Sequence, residues 1–301
     1  MVRAACAGGH EEILQLLAQC GARVTEARVL VEAAASGHVN ILEYLLAQDW
    51  NNGPLEDAAG LALTKAIQED QNHIFDLLID VKDINLGIVD PESGLNSLGA
   101  AAKAGSLKSA QILLKKEETN LNLEAALLQA VEAGHEAVLE LLLSHGADLG
   151  VRNDRGQSLL HLAATRGHCA ILRRLLEAGD DLLSVTEADS EGLTPLTSAI
   201  IGDQAEAAAL LLAYSGPGIL EAVDSSGRSA LDIAIYQGST AMVELLLDSG
   251  ANMEKVDERG VRPLDRVIGF GNAAIVTMFL RKGAKLGPGT WIMAAEKPEI
   301  Q

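Results

Sequence analysis

A chain of 301 residues carries 23 basic and 42 acidic side chains, a formal net charge of −19. That balance argues against nucleic acid, whose phosphates repel a net anion, and for a partner with some basic character. Apolar residues make up 48% and aromatic ones only 3%, which rules out wholesale disorder and leaves a core of Leu, Ala, Ile and Val. Short, closely stacked helices suit such a core better than a sandwich or barrel. Residues 1–150 hold 22 acids and 9 bases (net −13), residues 151–301 hold 20 and 14 (net −6), so the first half attracts cations more strongly.

Along the chain, Gly-His recurs at Gly9-His10, Gly37-His38, Gly134-His135 and Gly167-His168. Each is followed by one apolar pattern: Ile13, Leu14, Leu16, Leu17; Ile41, Leu42, Leu45, Leu46; Val138, Leu139, Leu142, Leu143; Ile171, Leu172, Leu175, Leu176. Degenerate forms of the slot stand at Asp70-Gln71, Gly105-Ser106, Asp203-Gln204, Gly238-Ser239 and Gly271-Asn272. The slots begin at 9, 37, 70, 105, 134, 167, 203, 238 and 271, spaced by 28, 33, 35, 29, 33, 36, 35 and 33. Gly-Ala closes several units, as at Gly21-Ala22, Gly146-Ala147, Gly250-Ala251 and Gly283-Ala284.

One unit shows the logic. The turn Asp189-Ser190-Glu191-Gly192 precedes Thr194-Pro195-Leu196. Thr caps a helix, and Pro fits the first turn, where its missing N–H would be unpaired anyway. A short inner helix from Leu196 to about Gly202 carries small residues such as Ala199. A turn and an outer helix with Leu210, Leu211 and Leu212 follow. Such a pair cannot bury its own faces, so neighbours must do it.

These residues identify the chain as similar to ankyrin-repeat proteins: an all-α solenoid of about nine units, 1–24, 25–50, 51–90, 91–120, 121–152, 153–188, 189–223, 224–256 and 257–287. A C-terminal half unit at 288–301 carries Trp291 and Ala294 in an inner-helix pattern. The short spacings leave little room for a full finger before the second and fifth units, and the long ones put insertions near 83–90, 180–188 and 214–222. Met1 is followed at once by mid-helix sequence, so the array is expected to be excised from a larger scaffold.

A narrower resemblance covers about forty residues. Gly260-Val261-Arg262-Pro263-Leu264-Asp265-Arg266-Val267-Ile268-Gly269, then Leu280-Arg281-Lys282-Gly283-Ala284-Lys285-Leu286-Gly287, Trp291, Ala294 and Lys297-Pro298 look like the end of the ankyrin array in the TANC/rolling pebbles scaffold family. Arg in place of the capping Thr and the Asp-Arg pair after Leu carry it. The upstream units depart from the vertebrate members, which sets the resemblance nearer the insect branch. It implies a large cytoplasmic scaffold with a nucleotide-binding-like region before the repeats and tetratricopeptide repeats after them. It also implies work at synapses or myoblast fusion sites, at cell–cell contacts below immunoglobulin-type adhesion receptors.

Catalytic and metal chemistry finds no foothold in the pattern, and no enzyme activity or cofactor is expected. Four of seven His fill Gly-His slots; His161 fills the last place of a Thr-Pro-Leu-His-like run, and His145 sits at a helix end. His135-Glu136 opens a zincin-like string, but Leu139 stands where the second ligand should be. Cys6, Cys20 and Cys169 cannot all pair and form no C-x-x-C, which reads as a reducing compartment. No apolar run approaches ~18 residues. Cys169 has Arg166, Arg173 and Arg174 nearby, an arrangement that could lower a thiol pKa, but a buried or half-buried structural Cys is the preferred reading.

In this repeat pattern the finger residues and the two residues before each Gly-His slot face the concave groove. Apolar groups at those positions cluster late: Leu193, Ile201, Tyr236, Val261 and Phe270. Arg228, Arg259 and Arg262 surround them, and Glu69 and Glu132 represent the acidic units. The first reading is a scaffold segment whose groove holds a peptide or a cytoplasmic tail. The second is an intramolecular module that packs on flanking nucleotide-binding-like or tetratricopeptide regions and gates them.

Two expectations follow from the sequence alone. Layers stacked roughly 10 Å apart make nine units span about 90 Å, so small-angle scattering should give a radius of gyration clearly above the ~19 Å of a compact chain this long. Replacing all three cysteines by Ser or Ala should leave partner affinity within about threefold, under ~1 kcal/mol, with helical content unchanged by circular dichroism.

Overall fold

The computed structural model describes residues 1–50, 55–116, 121–178, 183–215, 217–257 and 260–287. The half unit expected at 288–301 and the site residue Arg259 lie outside them. Among the described residues the structure is helical throughout, with no strand and two isolated bridges, Arg152–Ser158 and Val223–Ser229. None of these helices is long and apolar enough to cross a membrane. The chain forms two compact units, Met1–Asp148 and Leu149–Gln301.

The first unit holds five helix pairs: α1 (Val2–Ala7) with α2 (Glu11–Gln19), α3 (Ala27–Ala35) with α4 (Val39–Leu46), α5 (Leu55–Gln68) with α6 (Asn72–Leu78), α7 (Ser97–Ala104) with α8 (Leu107–Lys115), and α9 (Leu123–Ala133) with α10 (Glu136–Ser144). The second unit holds four among its described residues: α11 (Leu159–Arg166) with α12 (Cys169–Glu177), α13 (Pro195–Ile201) with α14 (Ala205–Ser215), α15 (Ala230–Gln237) with α16 (Thr240–Asp248), and α17 (Pro263–Phe270) with α18 (Ala273–Arg281). Within each unit successive first helices pack on one another in a row.

Alanine makes that row possible. Ala33, Ala59, Ala62, Ala101, Ala130, Ala163 and Ala199 are wholly buried, so backbones approach closely and an added methylene would overpack the seam. Second helices bury one Leu-rich stripe, as in Leu42 and Leu45 or Leu139 and Leu142. Each such side chain is worth about 1.5–3 kcal/mol.

The turn inside each pair needs a left-handed residue. Gly supplies it at most slots, but Asp70 (φ 55°) and Asp203 (φ 53°) adopt it as well. Their side chains are engaged: Asp70 Oδ1 accepts from Asn72 Nδ2 at 3.0 Å, and Asp203 Oδ1 from Ser239 Oγ at 2.8 Å. Asp is among the few non-glycine residues that tolerate this region, so the degenerate slots keep the repeat geometry. The next residue ties neighbouring repeats. His38 Nε2 donates to the Ala7 carbonyl and His135 Nε2 to the Lys103 carbonyl, both at 3.1 Å.

The insertions differ from one another. At 83–90 the chain folds back on α5, burying Ile84 and Leu86. Asn85 N donates to the Glu56 carbonyl at 3.1 Å. A Cβ on Gly60 would fall 2.0 Å from the Asn85 carbonyl oxygen, so this crossing requires glycine. The third insertion forms a 3-10 helix, Pro217–Glu221, that buries Ile219 and Leu220.

Fingers before α11, α13, α15 and α17 share one device: an Asn or Asp folds back on its own turn. Asn153 Oδ1 accepts from the N–H groups of Arg155 and Gln157 at 3.0 Å. Asp189 Oδ1 accepts from Glu191 and Leu193, and Asp224 Oδ1 from Ser226 and Arg228, all at 2.9 Å. Finger then bonds to finger: Ser190 N donates to the Arg155 carbonyl and Ser225 N to the Glu191 carbonyl, both at 3.0 Å.

His161 joins helix to finger. It is fully buried on α11; Nδ1 accepts from the Ser158 N–H at 3.2 Å, and Nε2 donates to the Leu193 carbonyl at 2.9 Å. Burial lowers its pKa below the ordinary 6.5, outweighing the Leu193 bond and the Asp189 charge. The accepting Nδ1 needs a neutral ring. As pH falls through 6.5 the unfolded chain therefore takes up a proton that the folded chain refuses, and stability drops until the lower folded pKa is reached. Melting curves from pH 8 to 5 should show this loss. His161→Asn should flatten that part of the profile and, with the ring's bonds to Ser158 and Leu193 lost, cost about 2 kcal/mol at neutral pH.

Candidate functional site

Phe270 is the last residue of α17 and Tyr236 the last but one of α15, so each lies within two residues of a left-handed glycine. The helix stops there, so neither ring has a further turn of its own helix to cover it. Tyr236 is 70% and Phe270 53% exposed. The rings meet edge to face, centroids 5.9 Å apart and planes at 79°, a favourable aromatic geometry. They form one wall of a groove of about 500 Å³ in the second unit, shared with Ser226, Arg228, Val261 and Arg266.

One helical turn before each ring lies a charge. Asp232 precedes Tyr236 by four residues and Arg266 precedes Phe270 by four, so each pair shares a helix face. Arg266 Nη1 donates to Asp232 Oδ1 at 2.5 Å and Nη2 to Asp257 Oδ2 at 2.6 Å. Asp232 Oδ2 accepts from the Ser229 N–H at 3.0 Å and its hydroxyl at 2.7 Å, completing the capping box of α15. Asp257 Oδ1 accepts from the Val261 N–H at 2.8 Å. One guanidinium thus joins a helix cap to the next finger. Sequence reasoning singled out the aromatics as site residues, used Arg266 only in the Asp265-Arg266 pair of the family resemblance, and passed over Asp232. Their signal was the 34-residue offset shared by Asp232 with Arg266 and Tyr236 with Phe270.

Arg228 reaches the groove from its finger. Nε donates to Asp224 Oδ2 at 2.8 Å and Nη2 pairs with the same oxygen at 2.7 Å. Burial works to raise the Asp224 pKa, but bonds from the Arg228 and Ser226 N–H groups and the Arg228 guanidinium outweigh it and hold the carboxyl below its ordinary value. Arg228 remains exposed, its side chain at 45%.

The remaining expected site residues are placed differently. Arg262 is the N-cap of α17. Its Nε and Nη2 grip the Asp265 carboxylate at 3.0 and 3.1 Å, and Nη1 donates to the Lys285 carbonyl at 2.7 Å. An Arg in the capping position thus acts through the Asp three residues on, and its guanidinium is used within the fold. Leu193, expected on the outside, is buried in the finger whose carbonyl receives His161. Ile201 is exposed at 43%, at the end of α13, and its carbonyl accepts from Gln237 Nε2 at 3.1 Å. Glu69, in the first unit, pairs with Lys65 at 3.1 Å; Glu132 is half-buried on α9.

The first unit has its own groove of about 530 Å³ between α1, α3, α5 and the 90–92 turn, with Arg3, Arg28, Glu32 and Lys65 on its walls. Arg3 pairs with Glu32 at 2.9 Å. Neither Cys6 nor Cys169 is an activated thiol. Burial, helped by Glu32, pushes Cys6 up to about 11; burial, helped by Glu206, also raises Cys169, so the neighbouring arginines do not prevail. Among the described residues no three His, Cys, Asp or Glu side chains group as a metal site would require.

Comparison with known proteins agrees with this architecture. The family model described as ankyrin repeats (3 copies) matches residues 30–125, 63–153, 127–220 and 160–257. Ankyrin repeat and KH domain-containing protein mask-1 of Caenorhabditis elegans is 31% identical over 255 residues, 81% of this chain and 9% of that protein. Rabankyrin-5 of Mus musculus is 30% identical over 124 residues, 41% of this chain and 10% of that protein. The chain therefore spans about a tenth of the length of these relatives. The crystal structure of the ankyrin repeat domain of Bcl-3, a member of the IkappaB family, superposes with a TM-score of 0.56 at 31% identity, over 64% of this chain and 88% of that one. With helix pairs, fingers and family matches in agreement, the chain belongs to the ankyrin-repeat family.

Proposed function

We propose that this array is a scaffold or adaptor segment that binds an extended peptide or tail of a partner protein in the groove of the second unit. Repeat arrays present their finger and inner-helix side as binding surface. The single observation that carries the reading is the exposed Tyr236–Phe270 pair, two large rings at one rim with charges beneath them. Aromatic anchors of this kind give wide contact at low entropic cost.

The finer reading rests on the rolling-pebbles-like residues between 260 and 287. On that resemblance the partner is the cytoplasmic tail of an immunoglobulin-type adhesion receptor, and the scaffold works in the cytoplasm, recruited to the plasma membrane at cell contacts, fusion sites or synapses. The acidic first unit supports long-range attraction of basic residues in such a tail.

The test is a titration of adhesion-receptor tail peptides against the parent chain and its variants. Tyr236→Ala and Phe270→Ala should each cost ~2 kcal/mol or more, about thirtyfold in affinity. Glu69→Gln with Glu132→Gln should mainly slow association and flatten its salt dependence. Parent-like binding by both aromatic variants, with helical content intact, would remove this groove from consideration.

A further inference from the structure

Among the charged groups of the groove, the hydrogen-bonding capacity left open is that of a donor. Its carboxylates are turned inward: both oxygens of Asp224, Asp232 and Asp257 already accept from backbone N–H groups, the Ser229 hydroxyl or a guanidinium. Arg266 is committed to two of them. What remains toward solvent is donor-rich. Arg228 spends Nε and Nη2 on Asp224, while its Nη1, the Tyr236 hydroxyl and the Ser226 hydroxyl have no partner among the described residues. A guanidinium can only donate.

On this basis we propose that the groove selects a segment in which an aliphatic side chain stands within two or three residues of a carboxylate. The aliphatic group packs against the Tyr236–Phe270 rings and Val261, and the carboxylate accepts from Arg228 Nη1. A lysine or arginine of the ligand finds no carboxylate oxygen there that is not already bonded, only neutral hydroxyls, despite a chain charge of −19. The net charge governs approach over a Debye length of about 8 Å; the contact is governed by which lone pairs are already taken. The inference rests on the groove reading above and names its ligand class.

The experiment is selection of a displayed random peptide library on the full 301-residue chain, with counter-selection on Tyr236→Ala and Phe270→Ala. Peptides that survive only on the parent should pair an aliphatic residue with a nearby Asp or Glu. A selected peptide and its Asp→Asn or Glu→Gln form are then titrated against the parent and Arg228→Gln. Either change alone should weaken binding about tenfold, and the two together little further, because they remove one contact. The peptide-side change controls for any loosening of the finger in Arg228→Gln, and Arg228→Lys, which keeps a charge beside Asp224, should recover part of the loss. Ring-dependent peptides rich in Lys or Arg, or strictly additive effects, would overturn the inference and leave the groove reading standing. A library yielding no ring-dependent peptide would overturn both.

Discussion

Every feature of this chain depends on one constraint: a pair of short helices has two apolar faces and can cover neither alone. Stability must come from the next pair, and the next pair must come close. The closeness is set by Ala62, Ala101, Ala130, Ala163 and Ala199, buried along the inner rows. The same constraint fixes the turns, because the chain must reverse within two or three residues after each inner helix. Only a left-handed residue allows that, which is why Gly or Asp stands at each slot.

Side chains then supply what the close approach leaves unsatisfied. Helix starts and finger carbonyls are polar groups brought into a poorly hydrated seam, where a missing partner costs about 1–3 kcal/mol. His161 meets two of these needs at once, at Ser158 and Leu193. The Asn and Asp residues of the fingers satisfy N–H groups within their own turns. The array is thus a chain of local solutions, each spanning one repeat boundary.

Much of this was legible in the residues. The register of the Gly-His slots places the nine helix pairs found among the described residues, and Thr194-Pro195 marks a helix start that the structure begins at Pro195. Tyr236 and Phe270 stood out because large rings at the groove-facing positions just ahead of the Gly-His slot have no neighbour in the repeat pattern to bury them. Leu193 and Arg262 did not follow from position alone. A finger residue faces outward or inward according to the turn its neighbour makes, and Asp189 turns Leu193 in. Arg262 looked like a free cation because its partners, Glu254, Asp265 and the Lys285 carbonyl, come from the preceding finger, its own helix and the chain beyond the next helix. Arg266 entered only as half of the Asp-Arg pair and Asp232 not at all; their joint meaning lies in a contact between repeats, visible only once the 34-residue offset is laid on the helices.

That contact sets how the two rings and the charges beneath them share water. Arg266, Asp232 and Asp257 are mostly covered but not sealed, with side chains 13–21% exposed. The rings form the lid on one side. Whatever lies across Tyr236 and Phe270 also dries the triad under them, and attraction between fixed charges strengthens as the local dielectric falls. An occupied groove therefore clamps α15, α17 and the intervening finger more tightly than an empty one, so the last described repeat should fray less when the surface above it is dry.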